Sequence, residues 1–289
     1  MKKFTKVLMA AVAVSTLCFA GCKNANDLLG EEFIDYTSKA DKDTGAEATA
    51  SIDYTNETDD IERGIRLLDD KVKDIAVNVV MEDAENAPGF MSVIFNKTEN
   101  EDGTLNFIAL GFNSKDTTGN KAKIACTYYK NVDKAGFKEV DFGRTGTDCK
   151  EILANTWFNS NITPDAEGKL NVGFVITANK GLEPYTVRIY ANKTAKELND
   201  IADAIGSTKT DDDGVIGTPE KEFNITANEL GLERNADSAK IDAGIGFYAN
   251  VYEGKTLKGE WQVGDISFNP DGIIWEDEIP NTLNIQLAE

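Results

Sequence analysis

From residue 75 onward the apolar residues of this chain come in short β-branched and aromatic runs, broken by glycine, asparagine and aspartate. Such runs predict strands and turns rather than amphipathic helices. Residues 75–81, 90–95, 105–112 and 124–129 read as successive strands, and Glu101-Asp102-Gly103 is a hairpin signal between the second and third. The run 105–112 is apolar on both faces, which predicts a central strand. Further strands are expected at 172–177, 185–190, 241–252, 260–268 and 283–287. Within 241–252 the alternation is strict. Ile241, Ala243, Ile245, Phe247, Ala249 and Val251 fall on one face; Asp242, Gly244, Gly246, Tyr248, Asn250 and Tyr252 fall on the other. One segment, 194–205, reads as a helix, with Leu198, Ile201, Ala202 and Ile205 on one side and Gly206 as its stop. Residues 61–75 stay open. Ile61, Ile65, Leu68, Val72 and Ile75 have helical spacing, yet Gly64 to Leu68 before Asp69-Asp70 also reads as a strand and turn. The pattern predicts a mainly β fold over residues 55–289: an antiparallel β-sandwich with one or two short helices.

The start of the chain has a different pattern. Lys2, Lys3 and Lys6 precede an uncharged stretch from Val7 to Gly21. About 15 residues are too few to cross a hydrocarbon core, which takes about 20. The proportions are those of a secretory signal peptide over residues 1–21. Phe19-Ala20-Gly21-Cys22 closes the stretch and resembles the lipobox of bacterial lipoproteins, although Phe19 stands where that motif usually has Leu. The resemblance implies cleavage before Cys22, lipid on its sulfur, and acylation of its freed amino group. Two or three acyl chains would then give a stable anchor. Lys23 follows, and an Asp there would be the usual retention signal, so outer-membrane sorting is compatible. The expected location is a membrane-anchored lipoprotein, periplasmic or on the cell surface. Residues 22–54 are polar and acidic and read as a flexible tether, with Leu28, Leu29, Phe33 and Ile34 as points of local docking.

Composition narrows the functional classes. The formal charge is −20, or −23 once the three leader lysines are gone. That argues against nucleic acid as a partner, because phosphates need Lys and Arg. It also argues against a polybasic grip on anionic lipid. The acidity fits a solvated surface, with divalent cations as the other reading. Histidine is absent, which removes Ser-His-Asp triads, Cys-His pairs and His-ligated zinc. No phosphate-binding glycine loop and no Cys-x-x-Cys pair occurs. Cys126 and Cys149 remain after Cys22; in an exported protein they are a candidate disulfide, with two buried thiols as the alternative.

Several segments resemble concanavalin A-like, laminin-G-like jelly-roll sandwiches. They are Asp74-Ile75-Ala76-Val77-Asn78-Val79 leading to Gly89-Phe90-Met91, then Asp102-Gly103-Thr104-Leu105-Asn106-Phe107, and Ala125-Cys126-Thr127-Tyr128-Tyr129. The last is Ile245-Gly246-Phe247-Tyr248-Ala249-Asn250 running into Gly259-Glu260-Trp261-Gln262-Val263-Gly264-Asp265. With the lipobox, the whole resembles spirochaetal lipoproteins. The resemblance implies binding of a glycan or an extracellular protein, sometimes with calcium.

Candidate chemistry is sparse. Glu276-Asp277-Glu278 is the nearest approach to the paired carboxylates of a glycosidase, but adjacent strand residues alternate faces and Pro280 follows. Asp211, Asp213 and Glu220 partly match a calcium loop, yet Lys209 stands where the first ligand belongs, so an acidic surface loop is the competing reading. Calcium is the one cofactor left open. A pyranose has one apolar C–H face, so sugar sites use aromatic platforms with polar neighbours. Tyr129, Tyr190, Tyr248 and Tyr252 are candidates, with Arg188 on the face of Tyr190; sheet packing is the alternative for each. Trp157, Trp261 and Trp275 read as core or loop anchors. The expected function is a non-catalytic, lipid-anchored binding module for a glycan or an extracellular protein. A polysaccharide-active enzyme on the same sandwich and a structural surface lipoprotein are the alternatives. An exposed aromatic row would favour glycan; a flat polar face would favour a scaffold.

Overall fold

A computed structural model describes residues 34–37, 43–46, 48–57, 59, 62–67, 74–84, 89–114, 121–132, 149–151, 158–179, 182–206, 217–231 and 245–264. In chain order the strands are β1 Asp35–Thr37, β2 Ala48–Thr55, β3 Glu62–Leu67, β4 Asp74–Glu82, β5 Gly89–Glu99, β6 Leu105–Asn113 and β7 Lys123–Val132. They continue with β8 Cys149–Glu151, β9 Phe158–Asn159, β10 Leu170–Ala178, β11 Tyr185–Ala191, β12 Lys221–Ile225, β13 Gly246–Val251 and β14 Thr256–Gly264. Helix α1 is Ala195–Gly206, and a short α2 is Ala227–Leu230.

The strands form two antiparallel sheets. The first runs β1-β2-β14-β4-β10-β11-β12; the second runs β3-β13-β5-β6-β7-β8, with β9 also on β7. The chain passes between sheets at β2–β3, β3–β4, β4–β5, β9–β10, β12–β13 and β13–β14. The expected mainly β, jelly-roll sandwich is therefore met, and residues 62–67 of the open segment are a strand.

Alternation builds the core. Ile75, Val77, Val79 and Met81 of β4 and Val172, Phe174 and Ile176 of β10 point inward. They meet Met91, Val93 and Phe95 of β5 and Ile108, Leu110 and Phe112 of β6. As predicted, Ile245, Phe247, Ala249 and Val251 share this inter-sheet face. Trp261 of β14 lies at the centre, fully buried, with its indole N–H donating to the Ser92 carbonyl of the opposite sheet at 3.0 Å. The Tyr185 hydroxyl likewise crosses the sandwich to Asn96 Oδ1 at 2.7 Å. The β5–β6 turn has Gly103 at φ 82°, and Asp102 accepts from the Thr104 N–H and hydroxyl. Those bonds hold the Asp102 carboxyl below its ordinary value.

Two expectations are corrected. The tether expected over 22–54 is not all tether, because β1 and most of β2 lie inside it and β2 pairs with β14 over eight positions. Its inward residues are Ala48, Ala50 and Ile52, all buried beside Ile34. Alanines are small enough to make the segment look weakly apolar, yet they preserve the alternation that a strand needs. Arg66 of β3 secures the segment by donating to the Ile34 carbonyl at 3.2 Å.

The second correction is the disulfide. Cys126 is a free, buried thiol in the inter-sheet core. Register places Cys149 opposite Tyr129, three positions along β7 from Cys126. Burial, with the Glu229 charge adding to it, pushes the Cys126 thiol far above its ordinary value. Thiolate is the reactive form. Cys126 should therefore resist iodoacetamide in the native protein and react only in denaturant; peptide mass spectrometry showing native labelling at Cys126 would contradict this placement.

Candidate functional site

The predicted aromatics do not form an exposed platform. Tyr129 and Tyr248 point to the outer side of the second sheet, but both are buried in a cluster with Phe90, Ile94, Leu105, Phe107, Ala109 and Val132. Tyr129 stacks on Phe107 at 5.1 Å, and Tyr248 meets Phe90 edge-on at 6.4 Å. Tyr252 is half-buried in the turn after β13. Tyr190 does share the outer face of the first sheet with Arg188, as predicted, but it is buried beneath α1 with Ala76, Val175, Leu198, Ile201 and Ala202. Burial raises its phenol above the ordinary value.

The sequence explains why α1 sits there. Thr194 and Glu197 form a capping box: the Glu197 amide donates to Thr194 Oγ1, and Glu197 Oε2 accepts from the Thr194 amide. Leu198, Ile201 and Ala202 supply the apolar stripe. On the sheet, Gly173 lies opposite both Tyr190 and Asn78, and a β-carbon at 173 would stand 2.7 Å from Leu198 Cδ2. The missing side chain is thus the socket into which Leu198 fits.

Beyond the helix, at the β12 end of the same face, lies a polar platform. β10, β11 and β12 align Thr177 with Thr186 and Thr186 with Asn224 in one row, and Arg188 with Glu222 in the next. Arg188 Nε meets Glu222 Oε2 at 2.7 Å, and its Nη1 reaches Thr177 Oγ1 at 3.4 Å. The Thr186 hydroxyl donates to Asn224 Oδ1 at 2.8 Å and accepts from Asn179 Nδ2 at 2.7 Å. Asn224 Nδ2 donates to Glu183 Oε2 at 2.8 Å. The Asn179 amide side chain also holds the β10–β11 turn through the Glu183 carbonyl. Leu182, in that turn, is 58% exposed and is the exposed large apolar side chain among the described residues. The Ala227 amide fixes the turn by donating to the Leu182 carbonyl at 2.8 Å.

The platform therefore presents amide, hydroxyl, guanidinium and carboxylate groups whose positions are set by mutual hydrogen bonds. Such an arrangement is capable of recognition chemistry, because orientations fixed before a ligand arrives lower the ordering cost of binding. Of the predicted residues, only Arg188 belongs to it. Thr177, Asn179, Glu183, Thr186, Glu222 and Asn224 were not anticipated. Their one sequence signal is the polar alternation of Thr186 and Arg188 in β11, repeated by Glu222 and Asn224 in β12.

Of the calcium-loop candidates, Asp211 and Asp213 lie outside the described residues; Glu220 accepts from the Asn161 amide at 2.7 Å. Among the described residues no cluster of three carboxylate or thiol side chains suits a metal ion. Cys22, Trp157 and Glu276-Asp277-Glu278 with Trp275 also lie outside them. No helix among the described residues is long and apolar enough to cross a membrane.

No protein-family model matches the chain, and no curated protein matches its sequence. Among solved structures it is similar to a legume lectin-like domain from Entamoeba histolytica, at 12% identity over 81% of this chain and 79% of that one, with a TM-score of 0.33. A Bacillus licheniformis β-glucanase gives 12% identity, 75% and 69% coverage and a TM-score of 0.31. LamAcat from Zobellia galactanivorans gives 8% identity, 75% and 66% coverage and a TM-score of 0.23; values this low do not bear on function.

Proposed function

We propose that this chain is a non-catalytic binding protein, exported and held to a membrane by lipid on Cys22, which engages a glycan or an extracellular protein. The observation that carries the binding reading is the pre-positioned polar platform of β10–β12 beside exposed Leu182. Polyhydroxylated ligands are bound by planar amides, carboxylates and guanidinium groups held at fixed angles, and those groups are what the platform offers. The second reading is a structural surface lipoprotein. It is favoured by the burial of Tyr129, Tyr190 and Tyr248, which leaves the described outer face without an aromatic row.

A glycan-array screen of lipid-free residues 23–289, run with calcium and again with chelator, separates the two. Selective binding to a glycan class is expected; loss with chelator would add a metal to the reading. Silence under both conditions, with a native circular dichroism spectrum, would transfer the assignment to the scaffold. The anchor has its own test. In a lipoprotein-processing host, Cys22→Ser should abolish incorporation of radiolabelled palmitate and move the protein from the detergent phase to the aqueous phase. Unchanged labelling would refute lipidation at Cys22.

A further inference from the structure

We propose that the β10–β12 platform takes a neutral, hydroxyl-rich glycan and rejects anionic ones. The inference rests on the binding reading above and adds the class of ligand.

Among the described residues the platform holds one guanidinium against two carboxylates. Arg188 is its cation, and it is already engaged: Nε contacts Glu222 Oε2 at 2.7 Å, and Nη1 donates to Thr177. Arg188 is also the less exposed member of the pair, its side chain 17% exposed against 50% for Glu222. A sulfate or uronate seeking Arg188 would have to displace Glu222, leaving a freed carboxylate beside the incoming anion. Among the described residues, Lys221 of β12 lies 5.5 Å from the Phe158 ring, while Lys193 and Lys196 pair with Glu197 and Asp200 of α1. The charge of the chain, −20, adds repulsion of the same sign.

What remains open on the platform is acceptor capacity. Glu183 and Glu222 each use Oε2 in the contacts described, and no protein group among the described residues is bonded to either Oε1. An ionised carboxylate accepts only, so a ligand must bring donors. Sugar hydroxyls supply them as charge-assisted O–H···O bonds, which are short and strong. Leu182 gives apolar surface at the rim for a ring C–H face.

The test uses the detergent-solubilised mature protein and calorimetric titration with neutral, uronate-bearing and sulfated oligosaccharides at low and high salt. Binding of neutral glycan, little changed by salt, is expected. Glu183→Gln and Glu222→Gln should each weaken it about five- to tenfold, since one charge-assisted bond becomes a neutral one. Both residues are exposed, so native circular dichroism should be retained; Asp203→Asn on the exposed side of α1 serves as the unaffected control. Preferential binding of sulfated or uronate glycans, weakened by salt and strengthened by Glu222→Gln, would overturn the neutral class while keeping the glycan reading. Absence of binding to all three glycan sets would overturn both.

Discussion

Replacing Trp261 with Ala should lower the thermal midpoint by on the order of 10 °C, from a loss of about 3–5 kcal/mol. The indole is fully buried between the sheets, 5.6 Å from the Phe247 ring, and supplies the donor to the Ser92 carbonyl. Truncation removes its transfer free energy, opens a cavity, and leaves that carbonyl without the indole bond. Trp261→Phe separates the contributions. It keeps most of the apolar volume and loses the donor, so about 1–2 kcal/mol is expected. Urea denaturation followed by circular dichroism measures both. A loss below about 1 kcal/mol for Trp261→Ala would mean that Trp261 is not a link between the two sheets.

Gly111→Val should be at least as damaging, giving insoluble protein or a loss of about 3 kcal/mol or more. Gly111 lies opposite Ser92 where β5 and β6 pair near the middle of the second sheet. A β-carbon there would stand 2.7 Å from Ser92 Cα and closer still to the Met91 carbonyl oxygen. The obstacles include backbone, which cannot rotate away as a side-chain end can. Gly168 is the useful contrast. Its φ is +81°, but nothing lies within 4 Å of a β-carbon built on it. Gly168→Ala should cost only about 1–2 kcal/mol, the left-handed penalty of an L-residue. If Gly111→Ala proves no worse than Gly168→Ala in the same denaturation assay, the close approach of β5 and β6 is wrong.

Legibility varied along the chain for physical reasons. β4, β6, β10 and β11 match their apolar runs to within one or two residues, because a strand buried on one or both faces must show it in its own composition. α1 was legible from its 3.6-residue stripe and capping pair. β2 was hidden because its inward side chains are mostly alanine. β12 was hidden because its outward Glu222 and Asn224 resemble loop composition, and only pairing with β11 makes a strand of them. The alternation of residues 245–251 was read correctly, with Phe247 inward and Tyr248 outward. Yet a period of two says only that two faces exist. It does not say which face meets water.

Local sequence was enough for the mainly β sandwich, helix α1, the hairpin at Gly103 and the exclusion of histidine chemistry. Each follows from local periodicity, turn geometry or residue inventory, and needs no knowledge of what lies across the fold. Packing and strand register supplied the rest. They put Tyr190 beneath α1, left Cys126 a free buried thiol, and joined Asn179, Glu183 and Thr186 to Asn224 across strands up to 45 residues apart in the chain. Such a platform arises only when three strands align in register. No one of its segments carries more than alternating polar residues, so its chemistry becomes visible when distant backbone pairs bring them side by side.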